Sequence, residues 1–189
     1  EFPKPVFLYN HTLFFWEKRQ IVKKLYMEYN RKNFYPGGVF MQIINDRRAL
    51  HQIPELDMDL PETMAYLEKA LQGLNCRIFS PMDSALCAWF DFGREDAIAF
   101  RADCDALPIE EKSGVPFAST HPGSMHACGH DGHMAILLEL ARRLNEKKSL
   151  PHNVLLIFQP GEESPGGAKA ICDTGVLETY HVKAVFGLH

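Results

Sequence analysis

The chain reads as an α/β protein, a sheet covered on both faces, and three observations carry that expectation. Strand-like apolar runs alternate with helical patterns along most of the sequence, the arrangement from which such sheets are built. One run, Asn153-Val-Leu-Leu-Ile-Phe-Gln159, is apolar throughout its interior, as a strand buried on both faces must be. The densest set of chemically capable side chains, Met125-His126-Ala127-Cys128-Gly129-His130-Asp131-Gly132-His133, stands directly before an amphipathic pattern, Met134 to Leu144. That is the strand-to-helix junction where α/β proteins place their chemistry.

Composition sets the outer limits. With 189 residues, 46% hydrophobic and 23% charged, the chain is one ordinary globular domain or a piece of one. A net charge of -4 gives no footprint for nucleic acid, and no apolar run approaches the length of a membrane span, so neither partner is expected. Five cysteines, odd in number and without the close spacing of a disulfide framework, point to a reducing compartment, with the cytoplasm as default. Cys76, Cys87 and Cys172 stand among apolar neighbours and are expected to be small core hydrophobes.

The first forty residues differ in kind. They hold 11 of the 21 Phe, Tyr and Trp residues and carry 7 Lys/Arg against 3 Asp/Glu, a charge of +4 beside -8 for the remainder. Leu13-Phe14-Phe15-Trp16 is too short an apolar core for a signal peptide. Pro36-Gly37-Gly38-Val39-Phe40-Met41 back-translates so that Gly-Gly reads as a ribosome-binding sequence just upstream of an ATG. Residues 1–40 are therefore expected to be translated upstream sequence with Met41 as native start. The alternative is a basic amphipathic leader with a helix from Trp16 to Tyr29.

From Met41 the pattern becomes regular. Ile43 to His51 reads as a helix closed by Ile53-Pro54, and a second helix opens at Leu60-Pro61-Glu62 and stops at Gly73. Leu86 to Phe92 and Ala97 to Arg101 read as strands, and Gly93-Arg94-Glu95-Asp96 between them is a hairpin signal. A helix begins near Asp131, and the buried strand 153–159 follows. Gly167 to Thr174 reads as a short helix ended by Gly175, and Val182 to Leu188 as a last strand.

Cys128 and His130 sit two apart, so in an extended or turning backbone both side chains can face one point, and Gly129 leaves room for an ion to approach. A thiolate and an imidazole suit a borderline-soft divalent metal. A lone histidine here would more simply cap the helix; the pair at this spacing reads as half of a metal site. Gln159-Pro160-Gly161-Glu162-Glu163 leaves the buried strand through a turn and presents two carboxylates, one able to bind metal while the other faces substrate. An adjacent Glu pair is usually just solvated surface, and its place after an apolar strand is what reverses that reading. His189 ends another apolar strand, and Asp103 and Asp105 end a fourth, where their acids could orient the histidines.

Taken together, Arg47-Arg48-Ala-Leu-His51-Gln-Ile-Pro54-Glu55, Phe100-Arg-Ala-Asp103-Cys-Asp105-Ala-Leu-Pro-Ile-Glu110, Met125-His-Ala-Cys128-Gly-His130-Asp-Gly-His133, Gln159-Pro-Gly-Glu162-Glu163 and Phe186-Gly-Leu-His189 resemble the M20 metallopeptidases. Within that family they resemble the amidohydrolase branch of hippurate hydrolases, N-acyl-amino-acid deacylases and auxin-conjugate hydrolases. The resemblance runs from about Met41 to the last residue. It implies a zinc-peptidase-like catalytic domain with a mixed sheet, metal ligands at Cys128, His130, Glu163 and His189, and Glu162 as general base toward a metal-activated water.

The resemblance further implies two divalent ions, zinc, manganese, cobalt or nickel, and a homodimer acting on N-acyl amino acids or peptides. Members of the branch continue past the position of His189 into a lid and dimerisation domain and return with one more histidine ligand. On this reading residues 41–189 are the N-terminal part of the catalytic domain and would be inactive alone. Cys104 stands where the family more usually has methionine. Two rivals remain: a dipeptidase or carboxypeptidase of the same family, and a non-catalytic metal-binding descendant, which would not need Glu162.

Overall fold

The computed structural model describes residues 39–164 and 166–187, with side chains from Met41 onward. The segment 1–38, including the helix considered for Trp16 to Tyr29, lies outside the described residues, as do Pro165, Leu188 and His189. The elements are α1 (Val39–His51), α2 (Pro61–Leu71), β1 (Arg77–Phe79), β2 (Leu86–Phe90), β3 (Ala97–Asp103), α3 (His130–Asn145), β4 (Asn153–Gln159), α4 (Gly167–Asp173), α5 (Val176–Thr179) and β5 (Val182–Gly187). The fold class is α/β, with one five-stranded mixed sheet in the order β1-β2-β4-β3-β5.

Strand β4 is the middle of that sheet, and every one of its residues is buried. Its side chains alternate between two cores, as the pleat requires. Val154, Leu156 and Phe158 face the core shared with Leu86, Ala88 and Phe90 of β2 and with Met134, Leu137, Leu138 and Ala141 of α3. Leu155 and Ile157 face the opposite core, closed by Ile171 of α4 and Val176 of α5. The sheet is thus covered on both faces. Among described residues, β5 lines one edge, and Val185 and Phe186 are 49% and 54% exposed.

The expected hairpin between β2 and β3 does not form. β4 inserts between them, antiparallel to β2 and parallel to β3. The connection 91–96 is long enough to arch over one intervening strand, and Asn153 at the start of β4 fills the arch. Its Oδ1 accepts from the backbone N–H of Phe92 and Arg94 at 2.8 and 3.2 Å, and its Nδ2 donates to the Arg94 carbonyl at 2.7 Å. The turn signal in the sequence was real, but it marks an arch stabilised by a distant amide. Strand β1 was not anticipated: three residues are too few to show a period.

Helices α1 and α2 start and stop near the expected places. Pro61 opens α2, where its fixed φ and missing N–H cost nothing. The cap comes from Glu55, whose two oxygens accept from the N–H of Glu62 at 3.1 Å and Thr63 at 2.8 Å. A buried polar junction ties α1, α2 and α3 together: Asp46 accepts from the Tyr66 hydroxyl at 2.8 Å and pairs with Arg142 at 2.7 Å. Burial, then the neighbouring Asp46 carboxylate, raises the Tyr66 pKa, so the hydroxyl remains a donor.

Cys87 is buried and Cys76 half-buried, but Cys172 is exposed, against expectation. It lies on α4 one residue past Ile171, and the turn of the helix that buries Ile171 carries its neighbour to the solvent side.

If β4 is the centre of the domain, truncating its side chains should be costly. Leu156→Ala should lower unfolding free energy by about 2–5 kcal/mol in urea titration. The same truncation at exposed Val185 should change it far less.

Candidate metal centre

The three parallel strands β3, β4 and β5 point their carboxyl ends to one side of the sheet. From the end of β3 the chain proceeds to α3 on one face, and from the end of β4 to α4 on the other. Neighbouring strands whose connections part in this way leave a crevice between their ends, the switch point at which open α/β sheets bind ligands. Asp103 and Asp105 stand at one lip, Glu162 and Glu163 at the other, and the Cys128–His130 turn covers the crevice from the start of α3.

His130 is 1% exposed, and its orientation is set by its own hydrogen bond. Nδ1 lies 2.7 Å from the Asp105 carbonyl oxygen, which can only accept, so Nδ1 carries the proton. The other nitrogen, Nε2, is buried and has no hydrogen-bond partner among the described residues. Around it stand Asp103 Oδ2 at 3.5 Å, Glu162 Oε2 at 3.7 Å and Glu163 Oε1 at 3.8 Å. Three carboxylate oxygens gathered around one buried nitrogen repel one another unless a positive charge stands among them.

Cys128 completes the donor set. Its thiol, Nε2 of His130 and a Glu163 oxygen lie within 4.8 Å of one another. Hydrogen bonding to Glu163, then burial and the charges of Glu163, Glu162 and Asp103, pushes the thiol pKa up to about 11. One sulfur, one nitrogen and one oxygen converge on a point that opposes every negative charge around it. This donor set fits a divalent ion of the zinc type. Of the four ligands inferred from sequence, Cys128, His130 and Glu163 are brought together; His189 lies outside the described residues. Glu162 stands beside this group and outside it.

Asp105 has a larger part than orienting a histidine. Its carboxylate, fully buried, accepts the backbone N–H of Glu162 at 2.8 Å and of Glu163 at 2.9 Å. One residue therefore holds the Glu pair and, through its carbonyl, the His130 ring. The turn also needs Gly161, at φ +60° and packed so closely that a Cβ would collide with Met58 Sδ.

Asp103, His130 and His133 form a second possible donor cluster. Its acid is already matched, however: His133 Nδ1 donates to Asp103 Oδ1 at 2.6 Å and Arg101 Nη1 to Oδ2 at 2.9 Å. It reads as a neutralised wall beside the site. That Asp103 could orient a histidine was expected from the sequence, without saying which one; the share of Arg101 in this acid was not foreseen. Neither was the contact of Asp131 with His51, at 2.7 Å. His126 is buried with neither ring nitrogen partnered among the described residues, and burial above all lowers its pKa to about 4, so it is a neutral packing element.

Residues 99–189 match Peptidase family M20/M25/M40. This part of the chain belongs to that family. An uncharacterized hydrolase of Staphylococcus epidermidis is 43% identical over 146 residues, 76% of this chain and 38% of the relative. The Bacillus subtilis YXEP protein, a dinuclear metal binding peptidase from the M20 family, superposes with a TM-score of 0.75 at 41% identity, covering 80% of this chain and 43% of that one. An aminobenzoyl-glutamate utilization protein from Klebsiella pneumoniae, with 22% identity and a TM-score of 0.63, shares the fold. The chain spans about two fifths of the length of the first two.

Two expectations follow from the geometry. In a Cys172→Ser background, which removes the other exposed thiol, Cys128 should react readily with a thiol reagent in chelator-treated protein and slowly once zinc is supplied. Equal rates would remove Cys128 from the ligand set. Gly161→Ala should destabilise the fold by at least about 1–2 kcal/mol in thermal unfolding, from the left-handed backbone before any steric term.

Proposed function

We propose that the protein is a metal-dependent hydrolase cleaving the amide bond of N-acyl amino acids or related small conjugates. The observation that carries this reading is Glu162: a residue whose backbone N–H is held by Asp105 and whose carboxylate lies 3.7 Å from Nε2 of His130, beside the donor set of Cys128, His130 and Glu163 and not part of it. A site that only stored metal would have no use for such a base.

Cys128, His130 and Glu163 would hold metal, with His189 joining them on the strength of the family resemblance. Two divalent ions, zinc, manganese, cobalt or nickel, would acidify water and polarise the substrate carbonyl when bound. The B. subtilis YXEP protein, described as dinuclear, supports two ions rather than one. Glu162 takes the proton from the attacking water and delivers it to the departing amine nitrogen as the C–N bond breaks. The grip of Asp105 on both backbone N–H groups keeps the two neighbouring carboxylates beside His130, at 3.7 and 3.8 Å from its Nε2. Asp103, paired with His133 and Arg101, limits the negative charge that the substrate would meet.

The naming of the YXEP protein as a peptidase favours dipeptides as the second substrate class. Among the described residues no helix is long and apolar enough to cross a membrane. A cytoplasmic homodimer working on small molecules completes the proposal, on the resemblance and the cysteine usage.

The test separates the two neighbouring acids. Glu162→Gln should retain metal while turnover on N-acetyl or N-benzoyl amino acids falls about 10²–10⁴-fold. Glu163→Ala should instead lose metal. Metal analysis beside a substrate panel that includes dipeptides checks both, and reversed phenotypes would exchange the roles.

A further inference from the structure

The metal-binding turn is short and begins and ends on different supports. Before it, Leu107 and Met125 exchange backbone hydrogen bonds, each at 3.0 Å, so the turn's approach is held by the loop that follows Asp105. After it comes Asp131, fully buried in the first turn of α3 and covalently next to His130. Helix α3 has no side-chain cap, and its N-cap is Gly129 at φ +88°. The direction in which this helix leaves the turn is therefore not fixed by local capping.

His51, the last residue of α1 and 3% exposed, reaches both supports. Its Nδ1 lies 2.7 Å from Asp131 Oδ2, and its Nε2 lies 3.2 Å from Glu111 Oε1. Glu111 belongs to the loop before the turn and accepts the Ser119 backbone N–H at 2.6 Å. Phe117 from the same loop stands edge-on to the imidazole, with centroids 5.7 Å apart. Arg47 adds a second contact from α1, Nε to Asp131 Oδ2 at 2.7 Å. One imidazole thus spans the loop before the metal-binding turn and the helix after it, with α1 as a fixed post.

We infer that His51 is a positioning residue, which through its contact with Asp131, the neighbour of His130, sets the placement of Cys128 and His130 for metal, with Glu111 holding the imidazole from its other side. This rests on the metal-centre reading above, since His51 itself touches none of the donors. Partners of this kind, one step behind the ligands, orient them, and their loss weakens metal binding.

The two amide substitutions of His51 separate the two halves of the bridge. Asn places its amide nitrogen near the Nδ1 position and keeps the contact to Asp131; Gln places its own near Nε2 and keeps only the contact to Glu111. Zinc affinity, read by competition with a chromophoric chelator, should stay near that of the parent in His51→Asn. It should fall about 10–100-fold in His51→Gln. Thermal unfolding of the metal-free proteins serves as control, because a purely structural role would make affinity follow stability.

Asp131→Asn, which hardly changes volume, should lose affinity to a similar degree. Adding His51→Gln to it should cost little more, as expected of two residues acting through one contact. Parental affinity in both His51→Gln and Asp131→Asn would overturn the inference alone, as would losses that merely parallel the loss of stability. Absence of zinc binding in the parent would overturn the metal centre and this inference with it.

Discussion

The site depends on Asp105. Its buried carboxylate takes the backbone N–H groups of Glu162 and Glu163, and its carbonyl takes the Nδ1 proton of His130. Hydrogen bonds to a charged acceptor contribute about 1.5–3 kcal/mol each, more than neutral ones, and two of them fix a turn that has no regular secondary structure of its own. A single residue past the end of β3 thereby joins the end of β4 to the start of α3. Without it the turn carrying the two acids and the helix start carrying the imidazole would have no common anchor.

That junction has meaning only if the strands beneath it are in register. β3 and β4 pair without a break from Ala97 opposite Asn153 to Asp103 opposite Gln159, and the two cores on opposite faces hold that register. A slip of one residue would turn Leu156 and Phe158 toward the wrong core, and the apolar packing forbids it. The sheet therefore delivers Asp105 and Glu162 to the same level of the crevice, and packing energy far from the site determines where the acids meet.

Electrostatics then decides what the site wants. Asp103, Asp105, Glu162 and Glu163 crowd around His130 and Cys128 above an apolar sheet, where interactions between charges are screened less than in water. Arg101 and His133 answer Asp103, and backbone N–H groups answer Asp105. The three carboxylate oxygens around His130 Nε2 and the raised thiol pKa of Cys128 both speak for an excess of negative charge, which a cation would offset.

Much of this was written in the sequence. The apolar run 153–159, the Pro61 start of a helix, and the placement of Cys128-Gly-His130 and Glu162-Glu163 beside strands and helices are local patterns, and a local pattern needs no knowledge of partners. The strand order was not legible: the turn 91–96 looks the same whether its strands pair or part, and only Asn153, some sixty residues away, makes it an arch. Nor could the sequence say which acid near the site holds a backbone and which holds a histidine. Asp103 and Asp105 are two apart and chemically identical, yet one meets Arg101 and His133 and the other meets the Glu162–Glu163 turn. Residue types and spacing determine which chemistry is available; the contacts that assign each group its role join segments distant in sequence, and only the packed sheet and helices bring them together.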